Sequence, residues 1–373
     1  MVEIRALTTI TELAIASAVK SVILVGVLLT AFAYMTYLER KVMAFLQVRV
    51  GPDRAGPFGL LQPVADGLKL LFKEELIPAQ ADKFMFVLAP IITVIPALVI
   101  MAVVPFGPDI PVCWPTQVNP TWNWVCYLVP LQITDLNVGL LFVLSVASIA
   151  VYGIVLAGWS SANKYATLGG MRSTAQMVSY EISLGLAIVG PALLVGSMSL
   201  GDINAWQQNN YWIVLTQPIG ALVYLIATLA EVNRAPFDMP EAEQELTAGY
   251  VTEYSGMKFS LFFMAEYIKM VAVSGIGVTL FFGGFNGPFI HEVSAWVVNG
   301  LPIGGLIAAL LGLLYFTVKT VFFLIVMIWI RASTPRLRYD QLMRFGWKVM
   351  LPLALLNVVV TAVAIAAFNG TIG

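Results

Sequence analysis

Histidine occurs once in the 373 residues, at His291, and cysteine twice, at Cys113 and Cys126. A tetrathiolate iron–sulfur cluster, or a pair of axial histidines for haem, therefore cannot be assembled from this chain alone. Glycine loops of the kind that cradle phosphates are missing too. Gly275-Ile276-Gly277 lies inside an apolar run, where glycines serve close helix packing. Charge is scarce: Asp, Glu, Lys and Arg make up 11%, against roughly 25% in ordinary soluble domains. The net charge of −1 offers no global field for nucleic acid or an acidic surface. The expectation is a chain with no redox centre, metal site or tightly held cofactor of its own.

What fills the sequence is apolar: 59% of residues, with a mean hydropathy of +0.87. A hydrocarbon core about 30 Å thick takes about 20 apolar residues of helix. Eight runs qualify, at about 14–38, 84–104, 136–159, 175–197, 212–232, 259–282, 306–330 and 347–368. The fold class predicted is an all-α polytopic membrane protein, with eight spans and one amphipathic surface helix forming a single membrane domain over 1–373. Ala31-Phe32-Ala33 imitates a cleavage site, but the run continues past it to Glu39-Arg40-Lys41, which predicts an uncleaved helix.

Of the 20 Lys and Arg residues, 16 fall in alternate connections, and the loops at about 105–135, 198–211 and 283–305 contain none. The positive-inside rule makes the basic loops, including 39–83 and 233–258, cytoplasmic, and both termini extracytoplasmic. Cys113 and Cys126 then share an outer loop where a disulfide is open to them. In the first cytoplasmic loop, Leu60, Leu61, Val64, Leu68, Leu71 and Phe72 recur at helical spacing opposite Asp66, Lys69, Lys73 and Glu74. A segment of about 16 residues with this pattern lies on the membrane surface or against a soluble partner, and the two are compatible.

Three acids fall within apolar runs: Glu181, Glu231 and Glu266. Charge in hydrocarbon is costly, so such residues usually face a bundle interior or a watered cavity. With spans starting at about 175 and 259, Glu181 and Glu266 are predicted about 10 Å below the cytoplasmic face. Lys269, one turn beyond Glu266 on the same helix face, is placed where it could pair with it, and Lys319 is a further intramembrane base. Residues 231–256 hold six of the chain's 21 acids. Asp238, Met239 and Pro240 followed by Glu241, Glu243 and Glu245 is a helix-start signal, but it leaves Glu231 and Glu253 unexplained. The surplus suits a hydrated acidic funnel for protons; static ion pairs between helices are the plainer reading.

At this point the segments YLERKVMAFLQVRVGPDRAGPFGLLQPVADGLKLLFKEE (37–75), AEVNRAPFDMPEAEQELTAGYVTEYSGMKFSLFFMAEY (230–267) and WIRASTPRLRYDQLMRFGWK (329–348) can be placed. They closely resemble the H-type membrane subunit of proton-pumping NADH:quinone oxidoreductase, respiratory complex I, over about residues 20–365. The resemblance implies a subunit at the heel of an L-shaped complex in a bacterial cytoplasmic (inner) membrane. Its partners would be peripheral-arm subunits carrying FMN and iron–sulfur clusters, antiporter-like membrane subunits, lipid, and quinone as substrate. The first and sixth spans with the surface helix would frame a quinone portal. Carried over by motif, Arg40, Gln47, Arg49, Arg54, Asp66 and Lys69 belong to the portal and docking surface. Phe237, Glu241, Glu243, Glu245, Tyr250 and Glu253 belong to the loop beneath the quinone chamber. Glu181, Glu231 and Glu266, with Lys269, belong to the proton path, and Arg331, Arg336 and Arg338 supply compensating charge; for each arginine, snorkelling at the membrane surface is the plain alternative. The outer loop with the two cysteines is longer than the compact version expected. Rival readings are a related ferredoxin-, deazaflavin- or hydrogenase-linked complex, a stand-alone cation transporter, and a structural anchor. Internal repeats would favour a transporter, and the acidic motif has no counterpart after the first span.

Overall fold

A backbone amide in hydrocarbon has no water to bond, so each apolar run must close its own hydrogen bonds as a helix. The computed structural model of the chain describes residues 2–6, 10–118, 121–238, 248–294 and 303–370. In chain order the helices are α1 (Ile10–Leu46), α2 (Gln62–Leu71), α3 (Lys83–Ile100), α4 (Gly139–Ser160), α5 (Lys164–Val195), α6 (Leu200–Asn209) and α7 (Pro218–Glu231). After the acidic loop follow α8 (Gly256–Phe281), α9 (Ile290–Ser294), α10 (Ile303–Ser333), α11 (Tyr339–Phe345) and, beyond a π-turn at Gly346–Met350, α12 (Leu351–Gly370).

Seven helical segments among the described residues are long and apolar enough to cross a membrane. The fifth predicted run differs. Its helix α7 has 14 residues, about 21 Å, because Pro218 starts it and Ile213–Leu215 form a separate 3-10 turn. Length and composition support seven of the eight predicted spans among the described residues and leave the fifth, the shorter apolar helix α7, unconfirmed.

Boundaries moved where capping residues, not hydropathy, decide them. α1 runs on to Leu46, past the apolar run that closes at Leu38, and stops where Val48 (φ 56°) and Gly51 (φ 72°) turn the chain back. α5 starts at Lys164, well before the predicted 175, because the Asn163 side chain accepts from the Tyr165 amide at 3.0 Å. Glu181 consequently lies further along its helix than a span starting at 175 would place it. The surface helix α2 has 10 residues, and none of them is buried.

α8 is the centre of the bundle: every residue from Tyr267 to Phe281 is buried, between α3, α7, α10 and α1. Lys319 on α10 closes the far end of α8. Its ammonium donates to the carbonyls of Phe282, Gly284 and Asn286 at 2.8, 3.0 and 2.7 Å, where a helix C-terminus presents negative charge. At the cytoplasmic end predicted by charge, α5 crosses the turn at Gly249–Val251 through Gly169, where a Cβ would lie 2.6 Å from the Gly249 Cα.

A small sheet adds to the helices. β1 (Val2–Ala6), β2 (Ile110–Val118) and β3 (Thr121–Val129) stand in the order β1-β3-β2, with β2 and β3 antiparallel and Cys113 opposite Cys126 in register. The disulfide expectation concerns side chains outside the described set. The predicted helix start at 239–245, with Glu241, Glu243 and Glu245, also lies outside the described residues.

Candidate functional site

Buried charge converges on Glu39. Because α1 stays helical past its apolar span, this carboxylate reaches the bundle interior and is 6% exposed. Arg234, in the turn after α7, donates through Nη1 to both Glu39 oxygens at 3.1 and 3.3 Å. Arg331, near the end of α10, donates to Oε1, and the Tyr267 hydroxyl donates to Oε2 at 2.6 Å. Arg234 also forms an ion pair through Nε with Glu266, and its guanidinium sits 4.3 Å from the Tyr267 ring centre. Two acids face two arginines, so the cluster is neutral as a whole. That balance makes charge tolerable at this depth.

Glu231 closes α7 and meets Lys269, whose ammonium lies 3.0 Å from Oε1 and donates to the Glu231 carbonyl at 3.3 Å. This corrects the expected Glu266–Lys269 pair. Neighbours at i and i+3 on one helix can reach each other, but the α7 C-terminus offers Lys269 a carboxylate and a helix-end carbonyl together. Glu181 differs again: it accepts from the Ser148 hydroxyl of α4. The acids thus stand in three states of compensation, with Glu39 and Glu266 against arginines, Glu231 against a lysine, and Glu181 against a hydroxyl.

A cavity of about 50 Å³ is lined by Glu231, Asn233, Tyr250, Phe263, Glu266 and Lys269, with Thr93 of α3 and apolar side chains of α4 and α5. A water needs about 10–15 Å³ of such space, so a few fit. Glu231 Oε2, buried, has no protein hydrogen-bond partner, and the cavity offers it water.

A larger cavity of about 380 Å³ opens between α1, α2 and α8. Its lining combines Phe32, Ala33, Pro63, Leu70, Phe259 and Phe263 with the polar Thr36 and Ser260 and the charged Arg40, Asp66, Lys69 and Lys73. Arg40 bridges to Asp66 at 2.7 Å, and the Gln62 amide donates to the other Asp66 oxygen at 3.0 Å. Phe263 lines both cavities, and Tyr267 lines the larger one while holding Glu39.

The ends of the acidic loop are pinned. Phe237 is buried, its ring 5.4 Å from Tyr180, and Tyr250 meets Phe262 edge-on at 5.4 Å. Glu253 accepts from Asn163 Nδ2 at 2.7 Å. Tyr254 donates to the Phe86 carbonyl at 3.2 Å, and burial pushes its hydroxyl up to about 12, so it keeps that proton. Ser255 donates to the Glu74 carbonyl and accepts from the Leu76 amide, both at 3.1 Å, and Lys258 pairs with Glu75 at 2.8 Å. The segment after α2 and the start of α8 are thereby tied together.

Other predicted residues stand apart. Gln47, Arg49, Arg54, Arg336 and Arg338 are exposed, and Arg49 lines a separate groove with Lys41 and Trp329. Glu39, Arg234, Tyr267, Ser148 and Gln176 fall outside the residues that sequence reasoning singles out. Glu39 carries a usable signal, an acid beside two bases where an apolar run ends; the others carry none without tertiary contacts. Among the described residues, no group of three or more His, Cys, Asp or Glu stands together as metal ligands.

A family model described as NADH dehydrogenase matches residues 19–362. An H-type subunit of the NADH-quinone oxidoreductase of Geobacter sulfurreducens is 51% identical over 348 residues, covering 92% of this chain and 93% of the relative. The H-type subunit from Protochlamydia amoebophila is 50% identical over 333 residues, covering 89% and 92%. NADH-quinone oxidoreductase subunit 8 of Thermus thermophilus is 47% identical over 349 residues, covering 94% and 87%. The chain belongs to the NADH dehydrogenase family of integral membrane proteins, as an H-type membrane subunit of NADH-quinone oxidoreductase, respiratory complex I.

Proposed function

We propose that this subunit forms the doorway through which quinone leaves a bacterial membrane, and that its buried acids couple quinone reduction to proton translocation. The observation that carries this reading is the largely apolar cavity between α1, α2 and α8, which shares Phe263 with the acid-lined cavity. A largely apolar lining that also presents Arg40, Asp66, Lys69 and Lys73 suits a lipid-soluble molecule that carries a polar ring. Electrons would come from the FMN and iron–sulfur clusters of partner subunits. Reducing a quinone to a quinol takes up two protons for two electrons, so the chamber changes charge unless protons follow.

In this reading Tyr267 and the Glu39–Arg234–Glu266 cluster sense that change. The Glu231–Lys269 pair and Glu181 pass protons laterally toward antiporter-like subunits, with water in the inner cavity completing the path. Gln47, Arg54, Arg336, Arg338, Glu253 and the loop 239–247 with Glu241, Glu243 and Glu245 would face the peripheral arm. The basic loops would be cytoplasmic. Both termini would then be extracytoplasmic provided α7 crosses, since each crossing reverses the side on which the chain emerges.

Replacing Glu181 or Glu266 by glutamine in the assembled complex tests the coupling role. NADH-driven quinone reduction and proton pumping in membrane vesicles are expected to fall at least about ten-fold, as when a proton-transfer group is lost. Undisturbed coupled turnover in both variants contradicts the assignment.

A further inference from the structure

Gln176 on α5 is fully buried and belongs to none of the acid clusters. Its Nε2 lies 2.7 Å from the Ala230 carbonyl, 2.6 Å from the Phe237 carbonyl and 3.1 Å from Asn233 Oδ1. An amide nitrogen has two hydrogens, so three acceptors compete for two bonds. The acceptors come from the last turn of α7, at Ala230, and from the turn that follows it, at Asn233 and Phe237, on both sides of Glu231 and Arg234. The same turn is folded by an Arg234 amide bond to the Leu229 carbonyl at 3.2 Å and a Phe237 amide bond to the Arg234 carbonyl at 2.9 Å. At its apex Asn233 takes φ 55°, a left-handed conformation that asparagine tolerates better than most residues.

The other pole of the amide argues against a plain packing role. Gln176 Oε1 is buried without a partner, a penalty that leucine or methionine of similar size would avoid. What the glutamine supplies in return is donors aimed at one turn. That turn sets two partnerships at once: Glu231 with Lys269 at 3.0 Å, and Arg234 with Glu39 at 3.1 Å. A shift of one ångström in the turn would loosen both.

We propose that Gln176 is a positioning residue for the carboxylate relay, fixing the 230–237 turn so that Glu231 and Arg234 each keep their partners. The proposal rests on the reading that these acids carry protons. It concerns only how they are held.

The test uses the assembled complex in membranes, with Q176L, Q176E and E231Q. Assembly is measured on native gels, peripheral-arm function by electron transfer from NADH to a soluble artificial acceptor, and coupling by protons moved per quinone reduced across a pH series. Q176L is expected to assemble and to keep the artificial-acceptor rate, while coupling falls roughly ten- to a hundred-fold, the range for a misplacement of about 1 Å. Q176E is expected to couple best at low pH and to lose coupling as pH rises: a protonated acid still donates to one carbonyl, and a carboxylate repels all three acceptors. Wild-type coupling in Q176L, with loss in E231Q, overturns the positioning role and leaves the relay standing. Wild-type coupling in both variants removes the relay reading itself. Should Q176L fail to assemble, the pH profile of Q176E decides alone, and a profile parallel to wild type overturns the proposal.

Discussion

Replacing Arg234 by methionine is expected to remove nearly all quinone-reductase activity and most of the assembled complex. Arg234 is 6% exposed and holds Glu39 through Nη1 and Glu266 through Nε. Methionine fills much the same volume but leaves buried Glu39 to Arg331 alone and takes from half-buried Glu266 its arginine. Breaking a buried pair from one side costs about 3–5 kcal/mol, because the remaining charge keeps its desolvation penalty. A domain is stable by only about 5–15 kcal/mol, so this loss is a large share. Native gels and NADH:quinone reductase rates per milligram of membrane measure both effects. Arg234→Lys should recover only part, since a single ammonium cannot address two carboxylates from two edges as a guanidinium does. A second change, Glu39→Gln added to Arg234→Met, should restore assembly more than activity, because it removes the uncompensated charge without rebuilding the site.

Blocking the larger cavity is expected to have a comparable effect on turnover with little effect on folding. Ala33 lines that cavity on α1, and an indole at this position would occupy space that the proposed route gives to a quinone ring and its tail. Ala33→Trp should lower quinone reduction by about ten-fold or more while electron transfer to a soluble acceptor stays at the wild-type rate, because entry into a pocket depends on unfilled concave volume. Val22→Trp on the same helix is the control: Val22 is 74% exposed, so added bulk there points away from the bundle. Equal rates in Ala33→Trp and Val22→Trp would mean that quinone takes another route.

Span positions were legible because apolar length is a one-dimensional property: seven of the eight runs fall on helices able to cross a bilayer. The fifth run carries a shorter helix than its hydropathy suggests, because Pro218 divides a run that hydropathy alone reads as continuous. Helix ends were less legible. Asn163 and the turn at Val48 set them by local hydrogen bonding and dihedral angle, which hydropathy does not register. Which residues are acidic within the membrane was plain from sequence, and which cation each meets was not. Glu39 and Arg234 are 195 positions apart, beyond the reach of any helical spacing rule. The Lys269 error has the same origin, since the i to i+3 rule identified a possible neighbour while the packing of α7 against α8 supplied a better one.

In the proposed proton path Glu231 takes the central place, with one oxygen on Lys269, the other without a protein partner, and its side chain lining a cavity with room for water. Redox-induced infrared difference spectroscopy of the assembled complex tests that place most directly, by comparing spectra before and after quinone reduction in wild type and in Glu231→Gln. The predicted result is a carbonyl-stretch band of a protonated carboxylic acid that appears or shifts on reduction and is missing from the variant. A carboxylic-acid region that stays silent on reduction, or one identical in wild type and variant, would contradict it.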